Sequence, residues 1–325
     1  MDVPSFPSFL TPPAASFATL ERMERLTSLI VPAFNEADHL EADLNRLDAS
    51  LSERFGSAYE VIVVNDGSSD ATGNVLAACA RKLSRVRIEE HERNLGLDAA
   101  VRTGIAAASG DRIAVLDADL TYDPHTVGTL VDAVDRGADI AVASAYMRGG
   151  SCRRVPFVRL QLSRWANRYL SLAVNGRIRT LTCLVRAYDG AWARRLLASG
   201  AFTECTFGVL LAAYRDGARI VEVPACLDWS AQPRQRARRL ALMRASRHAW
   251  DVLVAGVRTR PMLLAAIPGL IPGLLPAVVA AALVLRVTPG TLAAATLATI
   301  VVQYASLALF SYQLGDFVRR THVQR

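Results

Sequence analysis

The chain is poor in cysteine, and its five cysteines are scattered, odd in number and form no C-x-x-C pair. This pattern argues against a disulfide framework and against a cysteine-ligated metal, and it favours free thiols in a reducing compartment. The chain also lacks zinc-finger spacing and a basic segment interleaved with aromatic residues, so nothing indicates a nucleic-acid partner. Its first twenty residues have neither a basic start nor a long apolar core, which argues against a signal peptide.

Positive charge and apolar residues, by contrast, are in excess. The formal net charge is +7, which favours an anionic partner such as a phosphate-bearing substrate or a lipid surface. Arginines between apolar residues from Pro156 to Asn175 predict an amphipathic helix that lies on the domain core or on a membrane surface. Hydrophobic residues make up 52% of the chain, and the excess lies after Pro261. We therefore expect a soluble part followed by a membrane part.

Two long segments contain no charged residue, Pro261 to Leu285 and Thr291 to Leu314. Each is long enough to cross ~30 Å of hydrocarbon. We therefore expect two transmembrane helices within 261–318, preceded by a basic amphipathic juxtamembrane helix over 231–260. Because basic residues flank both segments, the positive-inside rule places the N-terminal domain, both termini and the basic tail 319–325 in the cytoplasm of a multi-pass inner (plasma) membrane protein. A helical hairpin buried in a soluble core is the alternative.

The residues before these segments alternate between strand-like and helix-like patterns. The predicted strands are near 27–31, 59–64, 85–90, 113–120, 139–144 and 218–223. Such alternation is typical of βαβ units and a mostly parallel sheet. We expect a flexible N-terminal tail at 1–26 and an α/β domain over 27–230.

The segment from Ile113 to Leu120 is an apolar strand that ends in two carboxylates, Asp117 and Asp119. Alternation along the strand directs both side chains to the same side, where they can converge on one cation. Hard oxygen ligands suit Mg²⁺ or Mn²⁺, and open α/β sheets bind ligands at the carboxyl ends of their strands. The segment therefore predicts a divalent-metal site, and the alternative is a pair of ordinary surface acids.

Four motifs occur in order along the α/β domain: S-L-I-V-P-A-F-N-E (28–36), V-N-D-G-S-S-D (64–70), R-N-L-G-L (93–97) and L-D-A-D-L (116–120). Together they resemble family 2 glycosyltransferases of the GT-A fold, in the dolichol-phosphate mannosyltransferase-like (polyprenyl-phosphate glycosyltransferase) branch. The resemblance implies an α/β nucleotide-diphospho-sugar transferase fold, with a mostly parallel sheet flanked by helices. The expected C-terminal transmembrane helical hairpin matches the bacterial members with transmembrane tails.

The resemblance also implies how a GDP- or UDP-linked sugar would be held. Asp117 and Asp119 would hold Mg²⁺ or Mn²⁺ on the diphosphate, and Asp119 would thereby take part in catalysis. Asp66 would accept hydrogen bonds from the nucleobase, and its alternative is a plain turn or helix-capping aspartate. The residues expected to bind the nucleotide sugar are Pro32, Ala33, Asn35, Glu36, Asp66, Asn94, Gly96, Asp117 and Ala118.

The acceptor implied by the resemblance is a polyprenyl phosphate. A phosphate monoester is mostly dianionic at cytoplasmic pH, so it needs no general base but does need arginines that position it. The candidates are Arg148, Arg153, Arg154 and, in a catalytic position, Arg186, whose alternative is an ordinary surface arginine. A hydroxyl acceptor would require a base, and Glu204 is then the candidate.

The residues after Leu120, which would contact the acceptor, depart from the family pattern. The residues up to Leu120, which would hold the donor, keep its motifs. Ala145 stands where close relatives have the arginine of S-R-Y, and Thr180 stands where they have an acidic residue. We expect a membrane-anchored, inverting hexosyltransferase that moves a mannose- or glucose-type sugar to polyprenyl phosphate at the cytoplasmic face, with oligomers possible. The alternatives are transfer to a lipid or polymer hydroxyl, and a catalytically silent scaffold that binds nucleotide sugar.

Overall fold

The computed structural model describes residues 25–203 and 206–230, together with the single residues Val252 and Gly290. Apart from those two residues, the predicted juxtamembrane helix, transmembrane helices and basic tail lie outside the described part, as do Glu204 and most of the predicted N-terminal tail. Within the described part of the chain, no helix is both long and apolar enough to cross a membrane.

Strands and helices alternate along the described chain. The strands are β1 (Thr27–Ala33), β2 (Tyr59–Asn65), β3 (Val86–Glu90), β4 (Arg112–Val115), β5 (Ile140–Ser144), β6 (Ser151–Arg153), β7 (Arg186–Asp189), β8 (Ile220–Pro224) and β9 (Cys226–Asp228). The helices are α1 (Leu40–Phe55), α2 (Thr72–Lys82), α3 (Leu97–Ala107), α4 (His125–Asp135), α5 (Phe157–Ala173), α6 (Gly190–Ala198) and α7 (Thr206–Arg215), with a 3₁₀ turn at Ala201–Thr203.

Seven of these strands form one sheet in the order β3-β2-β1-β4-β7-β5-β8. Neighbouring strands are parallel except at β7, which runs antiparallel to both β4 and β5. The prediction of a mostly parallel sheet is therefore confirmed, whereas β7 is a strand that the sequence pattern does not predict. Strand β6 pairs with β9 in a separate two-stranded parallel sheet.

The sheet is covered on both faces. Strands β2, β4 and β5 are buried at nearly every position, as expected for apolar strands in the middle of a parallel sheet. Gly104 of α3 shows how closely a helix packs on it, because a Cβ at this position would lie 2.3 Å from the side chain of Ile30 on β1. This packing fixes the strands whose carboxyl ends carry the predicted site.

A buried ion pair lies at the amino end of β4. Arg112 donates from Nη1 to Oδ2 of Asp135 at 2.9 Å, and the two side chains are only 2% and 4% exposed. Arg25 contacts the other carboxylate oxygen of Asp135 at 3.3 Å. The Arg112 guanidinium also lies 5.8 Å from the centre of the Phe55 ring. The pair joins β4 to α4 in surroundings where an unpaired charge would be costly.

Helix α5 confirms the helix expected from Pro156 to Asn175. Its Trp165 and Tyr169 rings stack with their centroids 5.7 Å apart. Most of this helix belongs to a second compact unit of the chain. The two units are residues 1–161 with 178–233, and residues 162–177 with 234–325.

Candidate functional site

Four parallel strands end at the same edge of the sheet. Ala33, which follows Pro32 at the end of β1, pairs with Asn65 of β2, and Asn65 pairs with Glu90 of β3. Strand β4 lies on the other side of β1 and ends at Val115. Because ligands of open α/β sheets bind at the carboxyl ends of the strands, the loops after these strands define the candidate site. All four sequence motifs reach into these loops.

The loops after β1 and β2 are hydrogen-bonded to each other. Asn35, in a left-handed conformation with φ of +56°, donates its N–H to Oγ of Ser68 at 3.0 Å and accepts from the N–H of Ser69 at 2.9 Å. The N–H of Glu36 donates to Oγ1 of Thr72 at 2.9 Å. The two loops therefore form one hydrogen-bonded rim. The nucleotide contacts expected of Asn35 and Glu36 stay predictions.

Asp66 is buried at the end of β2, and its carboxylate holds the loop after β3. Oδ1 accepts from the N–H of Leu95 at 2.9 Å, and Oδ2 accepts from the N–H of Gly96 at 2.8 Å. His91 places Nδ1 2.7 Å from Oδ1. A carboxylate has about four acceptor positions, so most of the hydrogen-bonding capacity of Asp66 is used within the protein. Its contact to a nucleobase stays a prediction.

Glycine is required where the loops after β2 and β3 meet. A Cβ on Gly67, whose φ is +61°, would lie 2.2 Å from the carbonyl carbon of Arg93. Gly96, with φ of +96°, directly precedes α3, and the nearby Asn94 is exposed. Asn94 and Gly96 therefore lie on the loop that borders the candidate site, as the resemblance implies, and their contact to the nucleotide stays a prediction.

Asp117 and Asp119 lie on a turn beyond β4. The strand ends at Val115, so the expected continuation of the strand to Leu120 is wrong. The N–H of Leu120 donates to the carbonyl of Asp117 at 3.2 Å, and Leu120 has φ of +44°, a left-handed conformation outside the β region. Ala118 is buried between the two aspartates. The two carboxylates are therefore brought together by a turn and not by strand alternation.

The charge of one aspartate acts on the other. Burial, and then the charge of Asp119, raise the pKa of Asp117 from 3.8 to about 7. In the described part of the chain, no group of three or more His, Cys, Asp or Glu side chains is arranged to hold a metal ion. Two carboxylates fit Mg²⁺ or Mn²⁺, because such an ion can complete its shell with water and substrate phosphates. Asp117 and Asp119 are the residues that would hold it.

Binding of Mn²⁺ is expected to depend on pH near neutrality. Below pH 7 Asp117 is protonated in the metal-free protein, so metal binding must displace a proton and weakens as the pH falls. Between about pH 8 and pH 6 the affinity should fall by about tenfold. Calorimetric titration in two buffers of different ionisation enthalpy measures both the affinity and the released proton. An affinity that stays constant over this range would contradict the raised pKa.

The loop expected to contact the acceptor is tied to the aspartate turn. In the two-stranded sheet Arg153 of β6 pairs with Asp228 of β9. The N–H of Asp228 donates to the carbonyl of Thr121 at 2.8 Å, directly after the turn, and the N–H of Trp229 donates to the carbonyl of Arg153 at 3.0 Å. Backbone hydrogen bonds therefore place this loop beside the predicted metal ligands.

The three arginines expected to contact the acceptor phosphate are exposed on or beside this loop. They are Arg148, Arg153 and Arg154. Hydrogen bonds from Ser230, and then the charges of Arg153 and Arg154, lower the pKa of Asp228, so two of these arginines already lie near a carboxylate. Their contact to an acceptor phosphate stays a prediction.

Arg186 is buried in β7, with 1% of its surface exposed, so the alternative of an ordinary surface arginine is wrong. It lies opposite Val115 of β4 and Val142 of β5. Its Nη2 donates to the carbonyl of Leu181 at 2.8 Å. Its guanidinium therefore lies inside the domain and is held by the segment that precedes β7. Its catalytic role stays a prediction, and Glu204, the candidate base, lies outside the described residues.

Thr180, which stands where relatives have an acidic residue, is buried. Its hydroxyl lies 2.6 Å from Oγ of Ser144 at the end of β5. Glu222 of β8 accepts from the N–H groups of Arg179 and Thr180 at 2.9 and 2.8 Å. A carboxylate is thus present at this loop, but it comes from a strand more than forty residues further along the chain.

Arg159 is a site residue that the sequence analysis does not single out. Its guanidinium lies 4.3 Å from the centre of the Trp229 ring. Burial lowers the pKa of Arg159, whereas the charges of Asp119 and Tyr146 act in the opposite direction, so this cation lies close enough to Asp119 to interact with its charge. The amphipathic pattern predicted a helix with several arginines, but it gave no sign of which one lies near Asp119.

These features define the class of the protein. A mostly parallel sheet with one antiparallel strand carries, at its carboxyl edge, a loop rim and a two-carboxylate turn. This is a GT-A type α/β fold. The pattern of glycosyl transferase family 2 matches residues 28–196, which is more than half of the chain. The chain therefore belongs to glycosyl transferase family 2.

Curated relatives match part of the chain. The dolichol-phosphate mannosyltransferase of Pyrococcus furiosus is 37% identical over 139 residues, which are 43% of this chain and 38% of that protein. The polyprenol monophosphomannose synthase of Mycolicibacterium smegmatis is 34% identical over 175 residues, which are 53% of this chain and 64% of that protein. The undecaprenyl-phosphate 4-deoxy-4-formamido-L-arabinose transferase of Edwardsiella ictaluri is 31% identical over 182 residues, 53% of this chain and 52% of that protein. The chain thus spans less than two thirds of the length of each of these relatives.

A solved structure shares the fold. Glucosyl-3-phosphoglycerate synthase from Mycobacterium tuberculosis, in complex with Mn²⁺, uridine diphosphate and phosphoglyceric acid, aligns with a TM-score of 0.55 over 78% of this chain and 84% of that one. The two sequences are 17% identical, so this likeness shows the fold alone.

Proposed function

We propose that this chain is a metal-dependent, inverting glycosyltransferase that moves a hexose from a nucleotide-diphosphate sugar to a polyprenyl phosphate at the cytoplasmic face of a membrane. The observation that carries the proposal is the two-carboxylate turn, with Asp119 close to Arg159 and with the basic 148–154 loop beside it. The names of the three relatives all refer to a polyprenol or its phosphate, which supports this class of acceptor.

The donor would lie along the carboxyl edge of the sheet. The rim formed by Asn35, Glu36 and the loop after β2 would border the nucleoside, and the Asn94–Gly96 loop would close it from the other side. Asp117 and Asp119 would hold Mg²⁺ or Mn²⁺, which when bound would neutralise the diphosphate of the leaving nucleotide. The protein's own contribution is to keep two carboxyl groups on one turn just after β4.

The proposed acceptor is a phosphate, which needs positive charge for orientation and no general base. A phosphate dianion is already a nucleophile, so it needs cations that orient it toward the anomeric carbon of the donor sugar. Arg159 lies near Asp119, and the neighbouring loop exposes Arg148, Arg153 and Arg154. Direct attack from the side opposite the diphosphate would invert the configuration of the sugar. The uncharged segments within 261–318 would hold this site at the bilayer, where the lipid phosphate lies.

A transfer assay tests the proposal. The full chain in detergent is incubated with Mn²⁺, decaprenyl or undecaprenyl phosphate, and radiolabelled GDP- and UDP-linked sugars, and the label is followed into the organic phase. Label that is released by mild acid and is lost without metal would support transfer to the lipid phosphate and would identify the sugar. If the donor binds but no label reaches any polyprenyl phosphate, the proposed acceptor is wrong.

Replacing Arg159 with glutamine is expected to impair use of the acceptor more than binding of the donor. Loss of a charge-assisted hydrogen bond corresponds to a fall of about tenfold to a hundredfold in kcat/KM for polyprenyl phosphate. Arg164→Gln, an exposed arginine on the same helix, is the matched control and should change this value by less than about threefold. Equal losses in the two variants would show that only the general positive charge of the helix matters.

A further inference from the structure

A largely buried histidine links three elements at the loop that borders the proposed nucleotide site. The N–H of His91, just after β3, donates to the carbonyl of Asn65 at 3.0 Å. The imidazole places Nδ1 2.7 Å from Oδ1 of Asp66 and Nε2 2.9 Å from Oγ1 of Thr103 on α3. The side chains of His91 and Asp66 are 9% and 5% exposed. The chain Asp66–His91–Thr103 therefore joins the end of β2, the end of β3 and helix α3.

The partners of the ring fix where its proton lies. An ionised carboxylate only accepts hydrogen bonds, so Nδ1 of His91 must carry a hydrogen that it donates to Asp66. In the neutral ring Nε2 then accepts from the hydroxyl of Thr103. The imidazole thus holds Oδ1 of Asp66 on one side, while the N–H of Leu95 donates to the same oxygen at 2.9 Å.

The loop held in this way has little apolar packing of its own. Leu95 and Leu97, on either side of Gly96, are 51% and 45% exposed. Its shape therefore depends on polar contacts, chiefly the two N–H bonds from Leu95 and Gly96 to the two oxygens of Asp66. Both bonds require one orientation of the carboxylate, and the contact of His91 Nδ1 to Oδ1 favours the same orientation.

We propose that His91 is a positioning residue for nucleotide-sugar binding. It orients Asp66, and through Asp66 it holds the Asn94–Gly96 loop in the shape that binds the donor. The inference rests on the proposed function, because it assigns this loop to the nucleotide sugar. It concerns affinity for the donor and not the transfer step, since both ring nitrogens of His91 are engaged by Asp66 and Thr103.

Two isosteric variants separate the two bonds of the imidazole. In His91→Asn the side-chain amide nitrogen stands at the position of Nδ1, so the bond to Asp66 can be kept while that to Thr103 is lost. In His91→Gln the amide nitrogen stands at the position of Nε2, so the bond to Asp66 is lost. Thr103→Val removes the partner of Nε2 alone. Dissociation constants of GDP- and UDP-linked sugars are measured by calorimetry on the full chain, together with hydrogen exchange of the Leu95 and Gly96 amides.

His91→Gln is expected to weaken donor binding by about tenfold, the effect of one lost bond to a charged group, with kcat within about twofold. The exchange of the Leu95 and Gly96 amides should accelerate in this variant. His91→Asn should restore most of both properties, and Thr103→Val should resemble His91→Asn. If His91 served only the stability of the fold, both histidine variants would have a lower melting temperature. Their affinities for the donor would then be the same.

Equal donor affinity in His91→Asn and His91→Gln, or unchanged exchange of the two amides, would overturn the inference. If the proposed transfer to polyprenyl phosphate is wrong, the experiments give a different result. If the wild-type chain binds nucleotide sugar but transfers nothing to polyprenyl phosphate, the acceptor assignment is lost, whereas the contrast between the histidine variants still decides the role of His91. If the wild-type chain binds no nucleotide sugar, both proposals are overturned.

Discussion

Asp119→Asn is expected to reduce sugar transfer by at least about a thousandfold, because it removes the charge of a proposed metal ligand at the position proposed for the leaving diphosphate. Asparagine keeps the shape of the side chain and can still accept the hydrogen bond that the N–H of Thr121 donates to Oδ1 at 3.3 Å. The fold should therefore be kept. Because the charge of Asp119 contributes to the raised pKa of Asp117, its removal should also move the remaining pH dependence of metal binding to lower pH.

The matched control is Asp123→Asn, four residues further along the chain. Asp123 is 55% exposed, and its carboxylate contacts Arg46 at 3.3 Å and His125 at 2.7 Å. This variant should transfer sugar within about twofold of the wild type, since exposed ion pairs contribute little. Transfer rates at saturating donor and Mn²⁺ binding are compared for both variants. Full activity of Asp119→Asn would show that the metal assignment is wrong.

Asp135→Ala is expected to destabilise the fold by about 3–5 kcal/mol, because it leaves the buried guanidinium of Arg112 without its counter-ion. Burial lowers the pKa of Arg112, and the charge of Asp135 opposes this shift. Arg25 would lose its contact to the same carboxylate. The Phe55 ring, 5.8 Å from the Arg112 guanidinium, replaces only a small part of this attraction. The loss is measured as the free energy of unfolding of the full chain in urea.

Asp132→Ala is the matched control on the same helix. Its carboxylate pairs with Arg54, and the two side chains are 35% and 45% exposed. Removal of an exposed pair should cost less than about 1 kcal/mol. An equal loss in the free energy of unfolding for the two variants would show that the buried pair of Arg112 and Asp135 stabilises the fold no more than an exposed pair.

Several features of the site followed from local sequence. The pattern around Asp117 and Asp119 predicted an acidic pair at the end of a buried strand, and β4 is such a strand, although it ends at Val115, before the pair. The exposed Asn94 and the left-handed Gly96 lie on the loop where the resemblance implied them. These predictions depend on short segments whose turn and strand preferences are local, so one sequence is sufficient to make them.

Other features depended on partners far away in the chain. Strand β7 is short, and it becomes a strand because β4 and β5 flank it on both sides. The burial of Arg186 follows from that pairing and contradicts the surface alternative. The sequence pattern does not distinguish Arg159 from the other arginines of its amphipathic helix. Only the tertiary structure shows that Arg159 lies near the Trp229 ring and Asp119.

The sequence by itself determined the alternation of strands and helices, the family motifs and the carboxylate pair, because apolar periodicity and turn residues act over a few positions. Only the tertiary structure decided what these residues touch. It placed the carboxylates on a turn, set Arg159 near Asp119, and turned Asp66 and His91 toward the loop after β3. The physical reason is that burial, pKa and hydrogen-bond partners are set by neighbours in space, which one sequence does not specify.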